Sequence, residues 1–222
     1  MRAKPSGSMR GVFVTGTDTS VGKTVVSATL VSAFRRDRAV GYWKPIQTGI
    51  EVDDDTAEVS SLASCAPEEI FTAGIRLKRP LSPHLAARLA GTRIQIAELI
   101  EMSGRLALDR FWVIEGAGGL LVPLNKQEMM ADLIKAIGLP VVIAARSGLG
   151  TINHTLLTVE GLRRRDITIA GVVTVGEPNI ENRLAIENYG QVKVLAEAPK
   201  MSSVEPNIIE SLAATWPTDW ML

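Results

Sequence analysis

A lysine and a threonine close the stretch GTDTSVGKT, Gly16 to Thr24, directly after the apolar run GVFVT and directly before a helical pattern. That is the setting of a phosphate-binding loop. Successive backbone N–H groups at a helix start attract phosphate oxygens, here those of Ser20, Val21, Gly22, Lys23, Thr24 and Val25. Lys23 then brings a point charge to the β- and γ-phosphates and the Thr24 hydroxyl is placed to ligate Mg²⁺, so ATP is the expected co-substrate. The loop is one residue longer than usual: five residues, Thr17 to Val21, separate Gly16 from the Gly-Lys pair instead of four. Thr17 stands where the first glycine normally does. The rim of Thr17, Asp18 and Thr19 is therefore expected to be wide and to face a second reactant.

Other chemistry-bearing residues fall at the ends of apolar runs, where an open parallel sheet gathers its ligands. FWVIE delivers Glu115, an acidic group suited to the neighbourhood of Mg²⁺, and the following Gly116, Ala117, Gly118 and Gly119 let backbone approach a ligand closely. AVGYW delivers Lys44 within KPIQTG, where Gln47 and Thr48 add hydrogen-bonding groups for an anion; alone, this lysine reads equally as a solvated side chain. Among Asp53, Asp54 and Asp55, ahead of a helix, one can cap and another join the metal. Gly148 and Gly150 precede a helix start near Thr151, and Ser82, Pro83 and His84 mark another; by position alone both read as caps. His154 and Cys65 read as packing residues, and Arg163 to Arg165 as a helix end where positive charge suits the dipole.

The elements that must position these groups alternate. GVFVT, AVGYW, FWVIE, PVVIAA and ITIAGVVTV are apolar nearly throughout, as strands covered on both faces are, with helical patterns between them at Lys23 to Arg36 and near 57–64, 95–105, 129–137, 151–165 and 181–189. The expected fold class is α/β: a doubly wound, mostly parallel sheet flanked by helices, of the P-loop NTPase kind. Its 222 residues, without an internal linker, make one domain over residues 10–222 after an extension over residues 1–9; the tail from about Val204, with Trp216 and Trp220, is expected as a short helix and coil.

Twenty-four basic and 24 acidic side chains cancel, which gives no general field for nucleic acid or an anionic membrane. No apolar run is long enough to span a bilayer, the N-terminus lacks a signal-peptide core, and the single cysteine fits a reducing compartment. A cytoplasmic location and small-molecule partners are expected, with no nucleic acid and no membrane.

Taken in order, FVTGTDTSVGKT, KPIQTG, DDDTAEV, SPHLAA, EGAGGLLVP and GLGTINHTLLT closely resemble dethiobiotin synthetase over roughly residues 12–169. The resemblance implies an ATP- and Mg²⁺-dependent cyclo-ligase of biotin biosynthesis. Its substrates are 7,8-diaminopelargonate, CO₂ and ATP, and its products dethiobiotin, ADP and phosphate, formed through a carbamate and a carbamic-phosphoric anhydride. No protein nucleophile is needed. Carried over, Lys23 and Lys44 neutralise the transferring phosphoryl group and the carbamate, Thr24, Asp55 and Glu115 hold Mg²⁺, and Thr48, Thr19 and Ser82 face the diamine.

The family is homodimeric, and the helix start matching Gly150, Thr151 and Asn153 binds the substrate carboxylate in the other subunit's site. One departure concerns the base. Where many members carry an asparagine that reads adenine, this chain has Val175 and Gly176, so base recognition is expected to rest on backbone near Val175, Gly176 and Pro199 and to discriminate weakly among nucleoside triphosphates.

The competing reading from the residues is a P-loop ATPase switch of the partitioning type, cycling on DNA or membrane. Such proteins usually carry a second lysine early in the loop and often a basic amphipathic C-terminal helix; here the loop has Thr17 and Asp18, and no such helix is legible. A cobyrinate-type amidotransferase would need a glutaminase domain and a catalytic cysteine.

Overall fold

Strands that are apolar on both faces need helices on both faces, and the chain supplies them in alternation. In the computed structural model, which describes residues 9–199 and 205–219, the strands are β1 (Arg10–Gly16), β2 (Val40–Trp43), β3 (Ile46–Thr48), β4 (Ile70–Phe71), β5 (Ile75–Leu77), β6 (Phe111–Gly119), β7 (Val141–Arg146), β8 (Ile169–Val175) and β9 (Val194–Ala198). Seven form one sheet in the order β4-β2-β6-β1-β7-β8-β9, with every pairing parallel; β3 and β5 make a small parallel pair beside it.

The helices are α1 (Lys23–Arg35), α2 (Asp55–Leu62), α3 (Pro83–Leu89), α4 (Ile96–Ser103), α5 (Met130–Ile137), α6 (Thr151–Arg163), α7 (Ile180–Gly190) and α8 (Pro206–Thr215). Val12, Val14, Val113 and Val142 share a core with α1, α2 and α8, whereas Phe13, Ile114 and Ile143 share one with α3 to α7. Alternation along each strand thus feeds two cores, and the sheet is doubly wound as expected. The helical spacing of Val26, Leu30, Ala33 and Phe34 buries all four side chains to 2% exposure or less, which for the larger ones contributes about 1.5–3 kcal/mol each.

Several boundaries differ from expectation for local reasons. The β6 strand runs on through GAGG to Gly119, because residues without bulky side chains still pair along β1. The ITIAGVVTV run enters the sheet only at Ile169. Helix α2 starts at Asp55 because Asp54 caps it, accepting from the backbone N–H groups of Thr56 and Ala57. Strands β3, β4, β5 and β9 were not foreseen. Residues 1–8 of the expected extension lie outside the described residues, while Met9 packs half-buried against the core. In the tail, α8 and the buried Trp216 are described; Val204 and Trp220 are not. Among the described residues no helix is long and apolar enough to cross a membrane.

Candidate active site

The central strand β1 ends at Gly16, and the chain then loops over the carboxyl edge of the sheet before entering α1 at Lys23. Ser20 and Gly22 both take left-handed conformations (φ 55° and 90°), the backbone geometry that turns consecutive N–H groups toward an anion. A side chain at Gly22 would also collide with Val175, 2.9 Å from an added Cβ. The Lys23 ammonium folds back over the loop and donates to the Asp18 carbonyl at 3.2 Å. Gly16 leaves it room: a Cβ there would lie 2.6 Å from that same carbonyl oxygen and 3.2 Å from the Lys23 Nζ. Burial pulls the Lys23 ammonium below the ordinary lysine range, neighbouring Lys44 adds to this, and Glu115, Asp55 and Asp18 only partly offset it.

Beside the loop, β2 and β6 lie next to each other, and their tips bring Lys44 onto Glu115. The Lys44 ammonium, 2% exposed, donates to Glu115 Oε1 at 2.7 Å, to Asp55 Oδ2 at 2.6 Å and to the Gly116 carbonyl at 3.1 Å. Tyr42 donates its hydroxyl to Glu115 Oε2 at 3.1 Å, and Thr24 donates to Asp55 Oδ1 at 2.7 Å. Burial alone would lower the Lys44 pKa, but Glu115 and Asp55 outweigh it and hold the ammonium charged. Burial likewise acts against the Asp55 carboxylate, but Lys44 and Thr24 overcome it and keep the group ionised. Thr24 is bonded to Asp55, and Lys44 links Asp55 to Glu115; the hydroxyl and the two carboxylates are hard oxygen donors of the kind Mg²⁺ takes.

A cavity of about 620 Å³ opens over these groups. Of the expected site residues, Thr19, Ser20, Gly22, Lys23, Thr24 and Val25 line it from the loop side, and Lys44, Thr48, Asp55, Ser82, Ala117 and Gly118 from the other. Glu115 is fully buried behind Lys44, and Val21 and Gly116 also stay below the surface of this cavity. The longer loop rim divides. Thr19 lines the main cavity and also a second hollow of about 420 Å³, whereas Thr17 and Asp18 line only the second, with Leu121, His154 and Leu157.

Gly150, Thr151 and Asn153 begin α6 away from the main cavity, with Thr151 buried and its hydroxyl 3.4 Å from that of Thr155. Val175 and Gly176 stand at the tip of β8 and Pro199 just beyond β9. The Val175 carbonyl accepts from the Ser147 N–H and the Gly176 N–H donates to the Ala198 carbonyl, so both of these backbone groups already have a partner.

Three features escaped the sequence reading. Tyr42 secures Glu115; its position on β2, two residues before Lys44 at the strand's tip, was the available signal. Glu58 lines the cavity one helical turn after Asp55, at the i+3 spacing that shares a helix face. Gln47 was read as a donor to an anion, but both its N–H bonds go to backbone, to Thr48 O at 3.0 Å and Asp53 O at 2.9 Å.

A loop of this kind on the central strand of a parallel sheet, with lysines and oxygen donors at its rim, defines an α/β P-loop enzyme that works on a nucleoside triphosphate. A family model described as an AAA domain matches residues 10–207. The septum site-determining protein MinD of Pyrococcus horikoshii, solved with Mg-ADP, superposes with a TM-score of 0.57 over 93% of this chain and 95% of its own, at 16% identity, a likeness of fold alone. Sequence similarity is far closer elsewhere. The chain is 50% identical over 204 residues to the ATP-dependent dethiobiotin synthetase BioD of Paramagnetospirillum magneticum (strain ATCC 700264 / AMB-1), covering 92% of this chain and 95% of that one. It is 47% identical over 210 residues to the biotin biosynthesis bifunctional protein BioCD of Bordetella avium (strain 197N), covering 94% of this chain but only 43% of that longer protein. The chain belongs to the ATP-dependent dethiobiotin synthetase family.

Proposed function

We propose that the chain closes the cyclic urea of dethiobiotin from 7,8-diaminopelargonate and CO₂ at the expense of ATP. The observation that carries this is the meeting of Lys23, Lys44 and Asp55 at one cavity beside the loop, with Glu115 bonded to Lys44 from behind and Thr48 and Ser82 facing the cavity. Such a site positions reactants and neutralises charge, which is most of what phosphoryl transfer requires. Lys23 follows the β- and γ-phosphates. Lys44 neutralises charge on the transferring phosphoryl group and on the substrate carbamate, whose oxygen attacks the γ-phosphorus and displaces ADP; the second amine, as the free base, then attacks the anhydride carbonyl, forming the C–N bond with loss of a proton and expelling phosphate.

Thr24, Asp55 and Glu115 would hold Mg²⁺, which supplies charge neutralisation on the phosphates when bound, and Tyr42 keeps Glu115 oriented. Thr19, Thr48 and Ser82 orient the diamine. Gly150, Thr151 and Asn153 hold the substrate carboxylate at the helix start of a second subunit, so the working form is a homodimer, in the cytoplasm. A monomer with full activity at micromolar concentration would overturn this last part.

Base recognition is slack in this reading, because Val175 offers no polar side chain and its carbonyl is already bonded. Val175→Asn should raise the ratio of kcat/KM for ATP over that for other nucleoside triphosphates by about tenfold, the order of one hydrogen bond to a base. An unchanged ratio would remove Val175 from the base site.

The reaction itself is tested by phosphate release from Mg-ATP and bicarbonate, with and without the diamine, and by the mass of the product. Release that depends on the diamine, with one added urea carbonyl, is the expected result. Release indifferent to the diamine and rising with DNA or lipid would turn the assignment toward a partitioning-type switch.

A further inference from the structure

Between the end of β2 at Trp43 and the start of β3 at Ile46 the chain passes through Lys44 and Pro45, which belong to neither sheet. No ladder holds their backbone, yet Lys44 carries the cation at the centre of the main cavity. The connection from β4 into β5 holds this passage residue by residue. The Trp43 indole donates to the Ala73 carbonyl at 2.7 Å, the Ile75 N–H donates to the Pro45 carbonyl at 2.8 Å, and Arg76 donates through Nη1 to the Lys44 carbonyl at 2.9 Å. Gly74 leaves the space for this last bond: a Cβ there would lie 2.6 Å from Arg76 Nη1 and 2.9 Å from the Lys44 carbonyl oxygen.

The donor to Lys44 is a charged one, half-buried and without an ion pair among the described residues. Its remaining contacts are the Ile75 and Thr72 carbonyls, at 3.4 Å each. Burial pulls the guanidinium below the ordinary arginine range, and Asp54 and Tyr42 only partly offset this. Tying the small sheet to the large one does not call for such a group, because the Trp43 and Ile75 bonds already do so with neutral donors. A guanidinium that stays charged does make a stronger bond to a carbonyl, and therefore a stiffer one.

What it stiffens is the root of the Lys44 side chain, whose ammonium must stand 2.7 Å from Glu115 Oε1 and 2.6 Å from Asp55 Oδ2. Charge that stabilises a transition state is sensitive to its placement: a shift of about 1 Å can cost on the order of 10² in rate.

We propose that Arg76 is a positioning residue for the reaction: by holding the Lys44 carbonyl it fixes where the Lys44 ammonium stands, and so sets the rate of phosphoryl transfer without contributing to substrate binding. Arg76 lines neither of the two cavities beside the phosphate loop and acts through Lys44 alone. This rests on the role assigned to Lys44 above.

The test is a double-mutant cycle read by single-turnover phosphate release, at saturating diamine and bicarbonate, for the wild type, Arg76→Met, Arg76→Lys, Lys44→Met and Arg76→Met combined with Lys44→Met. In Arg76→Met the rate should fall on the order of tenfold with KM for ATP and for the diamine held within about twofold, and Arg76→Lys, which keeps a charged donor, should recover part of the loss. On the Lys44→Met background the same change should cost less than about twofold, because the group it positions is gone. An equal fold loss on both backgrounds would make Arg76 part of the scaffold at large and overturn the proposal. An unchanged rate in Arg76→Met, or a loss carried wholly by KM, would overturn it too. Should Arg76→Met fail to fold by circular dichroism, Arg76→Lys enters the same cycle, with the same non-additivity expected. Diamine-independent release by the wild type would overturn the assigned reaction by itself; the cycle run on that release would still decide whether Arg76 acts through Lys44.

Discussion

Each end of α1 carries a charge cluster, the two about 18 Å apart along the helix axis, and they are built on opposite principles. At the C-terminal end four of the five Arg35 N–H donors are engaged. Its Nε and Nη2 donate to the two Glu69 oxygens at 2.8 Å each, Nη1 donates to the Ala63 carbonyl at 2.7 Å, and Nη2 also reaches the Cys65 sulfur at 3.4 Å. Glu69 in turn accepts from the Ala66 N–H. At the N-terminal end two lysines face several carboxylates. Lys44 serves two carboxylates at once, Lys23 makes do with a backbone carbonyl, and Asp53 and Glu58 have no ion partner among the described residues. A closed, one-to-one pair has little left to offer a ligand. An open cluster with mismatched charges does, and it holds together only because groups are kept where reactants will complete them.

The comparison breaks most visibly at Lys44. Lys44→Met strands Asp55 and a fully buried Glu115 without their cation, and should cost about 3–5 kcal/mol of stability together with an activity loss on the order of 10²–10³. Urea unfolding with and without Mg²⁺ checks the first part. The ion should raise the midpoint of the variant more than that of the wild type, since the carboxylates then accept it in place of the ammonium. A variant as stable as the wild type would mean that the Lys44 contacts are incidental.

Lys23→Met sharpens the contrast, because here function and stability should part. Phosphate release should fall by roughly 10²–10³, while stability stays within about 1 kcal/mol or rises, since a buried ammonium with little compensation is removed. An equal loss of stability would show that Lys23 belongs to the scaffold as much as to the site.

How far these roles could be read in advance depended on the distance over which they are built. The strand, loop and helix around Lys23 form a contiguous segment, so residue type and spacing sufficed. The long apolar strands were legible because each is buried on both faces. Strands β3, β4 and β5 have three residues or fewer and exist through pairing with one another or at the sheet edge, which no local pattern encodes.

In the site, Lys44 and Glu115 were legible as strand-tip residues, but their mutual bond was not. They are 71 residues apart and meet only because β6 inserts between β1 and β2. Which aspartate caps α2 was likewise open, since three in a row fit equally; helix phase decided it, placing Asp54 at the cap and Asp55 one residue on, toward Thr24.

The smaller effects belong to the closed pair. Glu69→Gln should leave activity unchanged and cost about 1 kcal/mol, a modest figure because Arg35 keeps 32% of its side chain in water and retains its other acceptors. The pH dependence follows in sign from Glu69. Burial works against its charge, but Arg35 and the Ala66 N–H outweigh it, so its folded pKa lies below the ordinary 4.5. A depressed carboxylate contributes stability that is present in full above its unfolded value and is lost as pH falls through its folded value. The stability difference between wild type and Glu69→Gln should therefore be constant near neutrality and shrink as the solution is acidified below about pH 4.5. Matched urea titrations across that range check it. A difference that persists at low pH would mean that the glutamine variant loses packing or the Ala66 bond, and that the pair's charge contributes little.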